Sequence, residues 1–135
     1  MKFYVIINKK IPTGNAINIA SHMMTGLVAT ADKPLIDEMQ VINYGFENHN
    51  HRASKWPQII LKAKNSNQIK KVLSEVTTLG LHHVTFTSTM IEGGWQVQVK
   101  NTQALSDEEI EYMGLAVFCD SNALDSTTKK LSLYQ

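Results

Sequence analysis

The sequence predicts an α/β fold: a single three-layer domain in which a mixed sheet of about four core strands carries helices on both faces. Two observations predict it. Short runs of apolar and β-branched residues alternate with longer segments whose apolar residues recur at helical spacing. The first run, Phe3–Ile7, is apolar throughout, which is typical of a strand covered on both faces. With 135 residues, the chain has the length of one domain spanning residues 1–135.

A long amphipathic helix is predicted after the first strand. Residues 11–14 are predicted to form a loop in which Thr13 can cap the helix, and the helical pattern runs from Asn15 to about Thr30. At about 100° per residue, six apolar side chains fall within one arc of roughly 100° and are expected to face the core. These are Ile17, Ala20, Met24, Leu27, Val28 and Ala31.

The middle of the chain predicts less regular structure before the second strand. Pro34 is expected to end the first helix, because proline disrupts a helix interior. Residues 39–46 can hold a short strand, and residues 47–52 are polar and loop-like. Residues 59–63 predict a second core strand.

A second amphipathic helix and a third strand follow. Asn65 or Ser66 is expected to cap this helix, whose apolar positions 69, 72, 73, 76 and 79 share one face. Gly80 is expected to end it, since glycine is common just after helix ends. Residues 83–87 then predict the third strand.

After a Gly93-Gly94 turn, the alternation of Trp95, Val97 and Val99 with polar residues predicts a half-buried peripheral strand. On that strand Trp95 would lie in the core or, as we favour, at a contact between two copies of the chain.

The C-terminal part predicts two short helices around a core strand. Residues 106–109 match a capping box, which predicts a helix start. Residues 114–119 predict the last core strand. A final short helix, capped by Asp120 or Ser121, is expected to carry Leu124 and Leu131.

Composition excludes several classes of function. The chain has 13 Lys and Arg against 12 Asp and Glu, so RNA binding lacks its usual charge footprint. RNA would be reached only if the fold gathered Lys9-Lys10, Lys70-Lys71 and Lys129-Lys130 on one face. The single cysteine, Cys119, excludes an internal disulfide and a Cys-rich zinc site. No apolar run approaches the ~18 residues of a membrane span, so we expect a soluble cytoplasmic protein with no membrane contact.

The first helix carries the candidate site. Asn15, Asn18, His22 and Thr25 fall on its polar side, within an arc of roughly 80°. A histidine can act as general base or acid near neutral pH, while asparagine amides can hold a carbonyl or phosphate oxygen. The alternative is a polar helix face that contacts only water.

Other candidates are weaker. His49 and His51 form an H-x-H pair, but no third ligand has metal-site spacing, so we predict no metal and no cofactor. The pair His82-His83 lacks a third ligand for the same reason. Ser88 follows the third strand without the G-x-S-x-G pattern of a nucleophile elbow.

The order of these segments resembles the type 2 peptidyl-tRNA hydrolases. The similarity lies in the opening strand at residues 2–7, Gly14 with the helix that carries His22, the 59–79 strand and helix, and the final 114–117 strand. Segments 43–49, 57–63 and 112–118 resemble more closely a bacterial family on this fold, numbered 2000 among the domains of unknown function.

The resemblance implies which residues would act. The hydrolases place a lysine directly after the glycine, where this chain has Asn15, and a histidine eight residues after the glycine, which matches His22. Ser88 stands where they use an aspartate, which makes it a candidate catalytic residue. An asparagine cannot supply a lysine's charge.

The resemblance therefore implies a homodimer that keeps a cleft along the first helix without peptidyl-tRNA hydrolase activity. A small ligand or partner would bind there through Thr13, Gly14, Asn15, Asn18 and His22. The alternative is a hydrolase of ester or amide bonds, of the peptidyl-tRNA or aminoacyl-ester type, with His22 as general base.

Overall fold

The computed structural model describes residues 1–46 and 50–135 of the chain. In chain order its elements are β1 (Lys2–Asn8), α1 (Thr13–Ala29), α2 (Lys33–Met39), β2 (Val41–Asn43), β3 (Arg52–Ser54), β4 (Gln58–Ala63), α3 (Ser66–Thr78), β5 (His83–Thr87), α4 (Trp95–Gln103), β6 (Tyr112–Cys119), α5 (Asp125–Thr128) and β7 (Ser132–Leu133). A 3-10 turn, Ser88–Met90, separates β5 from α4.

The main sheet is mixed and has the strand order β5-β6-β1-β4-β7. β1 pairs in parallel with β4, while β6 runs antiparallel to both β1 and β5. It follows that β1, β4 and β5 point the same way. The predicted α/β class is confirmed.

The sheet has five strands rather than the expected four or so. After α5 the chain returns to the edge of β4, where Leu133 pairs with Leu61 and Ser132 with Lys62. The Tyr134 N–H continues this ladder by donating to the Ile60 carbonyl (2.9 Å). The two-residue strand thus covers backbone groups that β4 would otherwise leave unpaired at the sheet edge.

β1 lies at the centre of the sheet and supplies side chains to both layers. Phe3, Val5 and Ile7 pack into the core beneath α1, whereas Tyr4 and Ile6 pack into the core beneath α3. This alternation is the two-residue period of a strand. The continuous apolar run of β1 is therefore explained by helices on both faces.

The core-facing side of α1 differs from the predicted one. Ile17 is 63% exposed and Val28 is also exposed, although both were expected to face the core. Leu27, the neighbour of Val28, is fully buried as expected. The buried side chains of α1 are Ala16, Ile19, Met23 and Leu27. The predicted arc was thus rotated by roughly 80° about the helix axis.

Gly114 of β6 gives a physical reason for the observed face. A Cβ at Gly114 would lie 2.6 Å from Met23 Cε and 3.2 Å from Ile19 Cγ2. The missing side chain leaves a hollow in the sheet that these two residues fill. The face of α1 that packs against the sheet is therefore determined by a glycine on β6. The spacing of apolar residues within α1 gives no information about that glycine.

The prediction of a strand at Trp95–Val99 is wrong, because these residues begin α4. The segment has no partner strand in the described chain, and a helix satisfies its own backbone: the Val97 and Gln98 N–H groups both donate to the Gly94 carbonyl. Trp95 is 70% exposed there.

Two predicted short helices also need correction. Residues 106–109 form a turn, although Glu109 Oε2 does accept the Ser106 N–H (2.8 Å) as a capping box requires. The last helix spans only Asp125–Thr128, with Leu124 buried at its cap position and Leu131 beyond its end. In both places the local hydrogen bonds form, but the chain does not continue into further helical turns. Because starting a helix costs free energy that only further turns recover, no longer helix results.

Other predicted elements are confirmed. Asn65 caps α3 by accepting the Gln68 N–H (3.0 Å), and Gly80 follows α3 with a φ of +63°. The predicted strand at residues 39–46 contains β2, which pairs with β3. β3 begins at Arg52, a residue that was expected to lie in the loop.

The buried thiol of Cys119 predicts a pH dependence of stability. Burial, followed by the nearby charge of Asp120, raises the pKa of Cys119 to about 11 from an ordinary value near 9. The unfolded thiol ionises first as the pH rises, so the free energy of unfolding is expected to fall between pH about 9 and about 11. Urea titrations of wild type and Cys119→Ala across this range measure it, and the difference between the two should shrink with pH. A difference that stays constant would contradict the assignment.

Candidate functional site

A cleft of about 410 Å³ lies between α1, β5 and α4. Its walls come from three separate parts of the chain, which meet because α1 packs over β5 and β6. The lining residues are Asn18, His22, Met23, Gly26, Val84, Thr85, Phe86, Met90, Ile91 and Gln98. The volume is in the range of sites that hold small molecules.

The lining of the cleft combines polar and apolar side chains. Asn18 and His22 lie one turn apart on α1, and Gln98 on α4 adds a second carboxamide to the lining of the cleft. Phe86, Met90 and other apolar side chains also line the cleft. Among the described residues that line the cleft there is no Asp, Glu, Lys or Arg. The cleft therefore offers hydrogen bonds and apolar contact without a fixed charge.

The histidine ring is placed against an aromatic floor. The ring centroids of His22 and Phe86 lie 6.2 Å apart, with the planes tilted by 40°. This tilted arrangement is within the range of favourable aromatic contacts. Phe86 is buried, so it gives the imidazole a fixed neighbour at the bottom of the cleft.

A chain of hydroxyl groups fixes α4 relative to β5. Thr87 Oγ1 lies 2.9 Å from Thr89 Oγ1, which lies 2.6 Å from Thr102 Oγ1 on α4. Gln98 is anchored as well, because its Nε2 donates to the Gly93 carbonyl (2.9 Å). The α4 wall of the cleft is thus held by polar contacts, since α4 buries no side chain fully.

The structure brings together part of the predicted site. Asn18 and His22 line the cleft, whereas Thr13, Gly14 and Asn15 are exposed nearer the start of α1 and are not among its lining residues. Thr13 is the first residue of the helix and Pro12 occupies the cap position, so Thr13 does not cap it. The second carboxamide at the cleft is Gln98.

Ser88 lies in the 3-10 turn beside the cleft. Its backbone N–H donates to the Glu111 carbonyl (2.9 Å), which ties this turn to the segment before β6. Its side chain is not among the cleft-lining residues, although Met90 and Ile91 next to it are.

The other histidines have separate positions. His49 lies outside the described residues. His82 Nε2 donates to the Leu27 carbonyl near the end of α1 (2.8 Å), and His83 Nδ1 donates to the Leu81 carbonyl (2.8 Å). In the described part of the chain, no three His, Cys, Asp or Glu side chains gather as metal ligands would.

The sequence did not indicate the residues of β5 and α4 at this cleft. The sequence predicts Phe86 in the third strand, Met90 in the loop that follows it and Gln98 in the peripheral strand, none of them as a site residue. Only the packing of α1 across β5 brings them to His22, and no spacing along the chain encodes that contact.

Gly26 sits in the cleft wall and gives a stability prediction. It lies within α1, where glycine costs roughly 0.5–1 kcal/mol relative to alanine. A Cβ there would meet Val84 Cγ1 at 3.7 Å, an ordinary contact. Gly26→Ala is therefore expected to raise the free energy of unfolding by about 0.5–1 kcal/mol in urea denaturation. Gly93→Ala, at a φ of +82°, is the control and should lower it. A destabilising Gly26→Ala would contradict the open wall at this position.

Comparisons with known proteins identify a family for this chain and a solved structure of similar fold. A family model described as "Protein of unknown function (DUF2000)" matches residues 1–135. No curated protein matches the chain. A solved structure of a protein of unknown function from Agrobacterium tumefaciens strain C58 is similar, with a TM-score of 0.80 and 18% identity over 99% of this chain and 97% of that one. None of the helices in the described residues has the length and apolarity needed to cross a bilayer.

Proposed function

Because the chain belongs to the DUF2000 family of proteins of unknown function, we propose from the geometry of this member that it binds a small uncharged molecule in the cleft along α1. The observation that carries the proposal is the lining of the cleft. It joins one imidazole and two carboxamides to an apolar wall, and its described lining has no fixed charge.

The chemistry of the lining indicates the class of ligand. Asn18 and Gln98 carry both donor and acceptor groups, which suit a carbonyl or an amide. Phe86, Met90 and Ile91 suit an aromatic or aliphatic group of the same molecule. A charged ligand would lose its hydration without gaining an opposite charge. An uncharged ligand with a carbonyl beside an apolar group fits best.

We also infer that this domain shares the fold of the type 2 peptidyl-tRNA hydrolases without their activity. The chain has Asn15 in place of their lysine and Ser88 in place of their aspartate, while His22 matches. These exchanges remove the charges that would act on a phosphate or a transition state. Binding without peptidyl-tRNA turnover is the function that this set of residues supports.

Hydrolysis of an uncharged ester is the alternative, and the exposed imidazole beside Asn18 favours it over other reactions. His22 would take a proton from water as the water attacks the ester carbonyl, and Asn18 would donate to the developing oxyanion. His22 would then return this proton to the leaving alkoxide as the acyl carbon–oxygen bond breaks, which releases a carboxylic acid and an alcohol.

Three matched probes test the proposal by isothermal titration calorimetry and a product assay. N-acetylphenylalanine amide is uncharged, N-acetylphenylalanine is its anionic counterpart, and the ethyl ester is a hydrolysable analogue. The amide is expected to bind at least about tenfold more tightly than the anion. Equal or tighter binding of the anion, or no binding of the amide at millimolar concentration, would refute the uncharged-ligand assignment. Ester turnover by wild type that is lost in His22→Ala would establish the hydrolase alternative.

A further inference from the structure

A second cleft, of about 440 Å³, lies on the other side of the main sheet. It is formed by the β4–α3 connection, the first turns of α3 and the segment around α5. The lining residues are Lys64, Asn65, Asn67, Gln68, Lys71, Val72, Thr127 and Lys130. Since α3 packs on Tyr4 and Ile6 whereas α1 packs on the opposite face of β1, this cleft is separate from the one that holds His22.

The charge of the second cleft is of one sign. Lys64, Lys71 and Lys130 come from three segments, and the described lining includes no Asp or Glu. Glu75, the one acidic residue of α3, accepts a hydrogen bond from Ser126 Oγ (3.3 Å) and does not line the cleft. Within the described residues the ion pair found, Lys33–Asp37, lies elsewhere. In a chain with balanced charge, three lysines therefore line one cleft whose described lining has no carboxylate.

The backbone around these lysines is held in place by Gln68. Its Oε1 accepts the Lys64 N–H (2.7 Å), and its Nε2 donates to the Lys130 carbonyl (3.4 Å). One side chain thus links the segment that carries Lys64 to the segment that carries Lys130. Lys71 follows Gln68 by three residues on the same helix and completes the group.

We propose that this cleft binds the phosphate chain of a small phosphorylated molecule, with Lys64, Lys71 and Lys130 as its cationic contacts. Lysine is a compact cationic donor that binds phosphate oxygens as a point charge. Three cations on separate segments suit two or more linked phosphates better than one. The volume is in the range of small-molecule sites.

The test is calorimetric titration with inorganic pyrophosphate, tripolyphosphate and orthophosphate at low ionic strength. Pyrophosphate and tripolyphosphate are expected to bind more tightly than orthophosphate. Lys71→Gln and Lys130→Gln are each expected to weaken pyrophosphate binding by at least about fivefold. Both lysines are exposed, so the variants should fold, and Lys100→Gln on α4 is the matched control that should bind like wild type.

Several results would overturn the proposal. These are no binding of pyrophosphate or tripolyphosphate at millimolar concentration, or the same weakening in Lys100→Gln as in Lys71→Gln. Single-stranded RNA that binds more tightly than tripolyphosphate, with an affinity that rises with length, would instead indicate a nucleic-acid surface. Lys10 and Lys70 line a neighbouring cavity. If Lys10→Gln weakened RNA binding as much as Lys71→Gln does, the nucleic-acid surface would extend over both cavities.

Discussion

Phe118→Ala is expected to lower the free energy of unfolding by about 3 to 5 kcal/mol. Phe118 is 2% exposed on β6, and its ring centroid lies 4.5 Å from that of Phe3 on the neighbouring central strand. The substitution removes a large apolar side chain and leaves a cavity in the layer beneath α1, which surrounding side chains fill only in part. Since domains of this size are stable by roughly 5–15 kcal/mol, much of the total would be lost.

Chemical denaturation followed by circular dichroism measures this change. Tyr44→Ala is the control, because Tyr44 is 65% exposed and its truncation should cost no more than about 0.5 kcal/mol. A Phe118→Ala protein as stable as the Tyr44→Ala protein would show that Phe118 does not lie in the core between β6 and α1.

Asn18→Ala and His22→Ala are each expected to weaken binding of N-acetylphenylalanine amide by about tenfold. Each removes a side chain that can hydrogen-bond the ligand in a cleft partly closed to water, a loss of roughly 1.4 kcal/mol. Both side chains are exposed on α1, so the fold should survive. Asn15→Ala is a close control, because it removes the same carboxamide from the same helix at a position outside the cleft lining.

Calorimetric titration of the four proteins with the amide gives the comparison. Wild type and Asn15→Ala should have equal affinities. If Asn15→Ala weakens binding as much as Asn18→Ala, the ligand lies along the start of α1, with Thr13 and Gly14, and not in the cleft beside Phe86.

The order of the elements was accessible from the sequence because their patterns are local. The apolar run of β1, the helical spacing in α3 and the cap at Asn65 each depend on neighbouring residues. The two-residue strand β7 was missed because its formation depends on a distant partner, β4.

The rotation of α1 shows where local pattern fails. Apolar residues cover much of this helix, and Gly114 on β6 selects which of them pack against the sheet. Similarly, the alternation from Trp95 to Val99 resembles a strand, but among residues 1–46 and 50–135 no strand pairs with it, and the segment forms a helix.

Of the residues that line the cleft, the sequence indicated only Asn18 and His22 on α1. The spacing of Asn18 and His22 places them on one helix face, which the structure keeps. Gln98 and Phe86 come to that face through tertiary packing alone, so a sequence without its fold could not indicate them.

The most direct test of the account is a ¹H–¹⁵N correlation spectrum recorded while N-acetylphenylalanine amide is added to the labelled protein. Saturable shifts are predicted for the backbone amides of Gly26, Thr85, Phe86 and Gln98, which come from α1, β5 and α4. Unchanged amides at these four positions, or shifts confined to another surface, would contradict a binding cleft along α1.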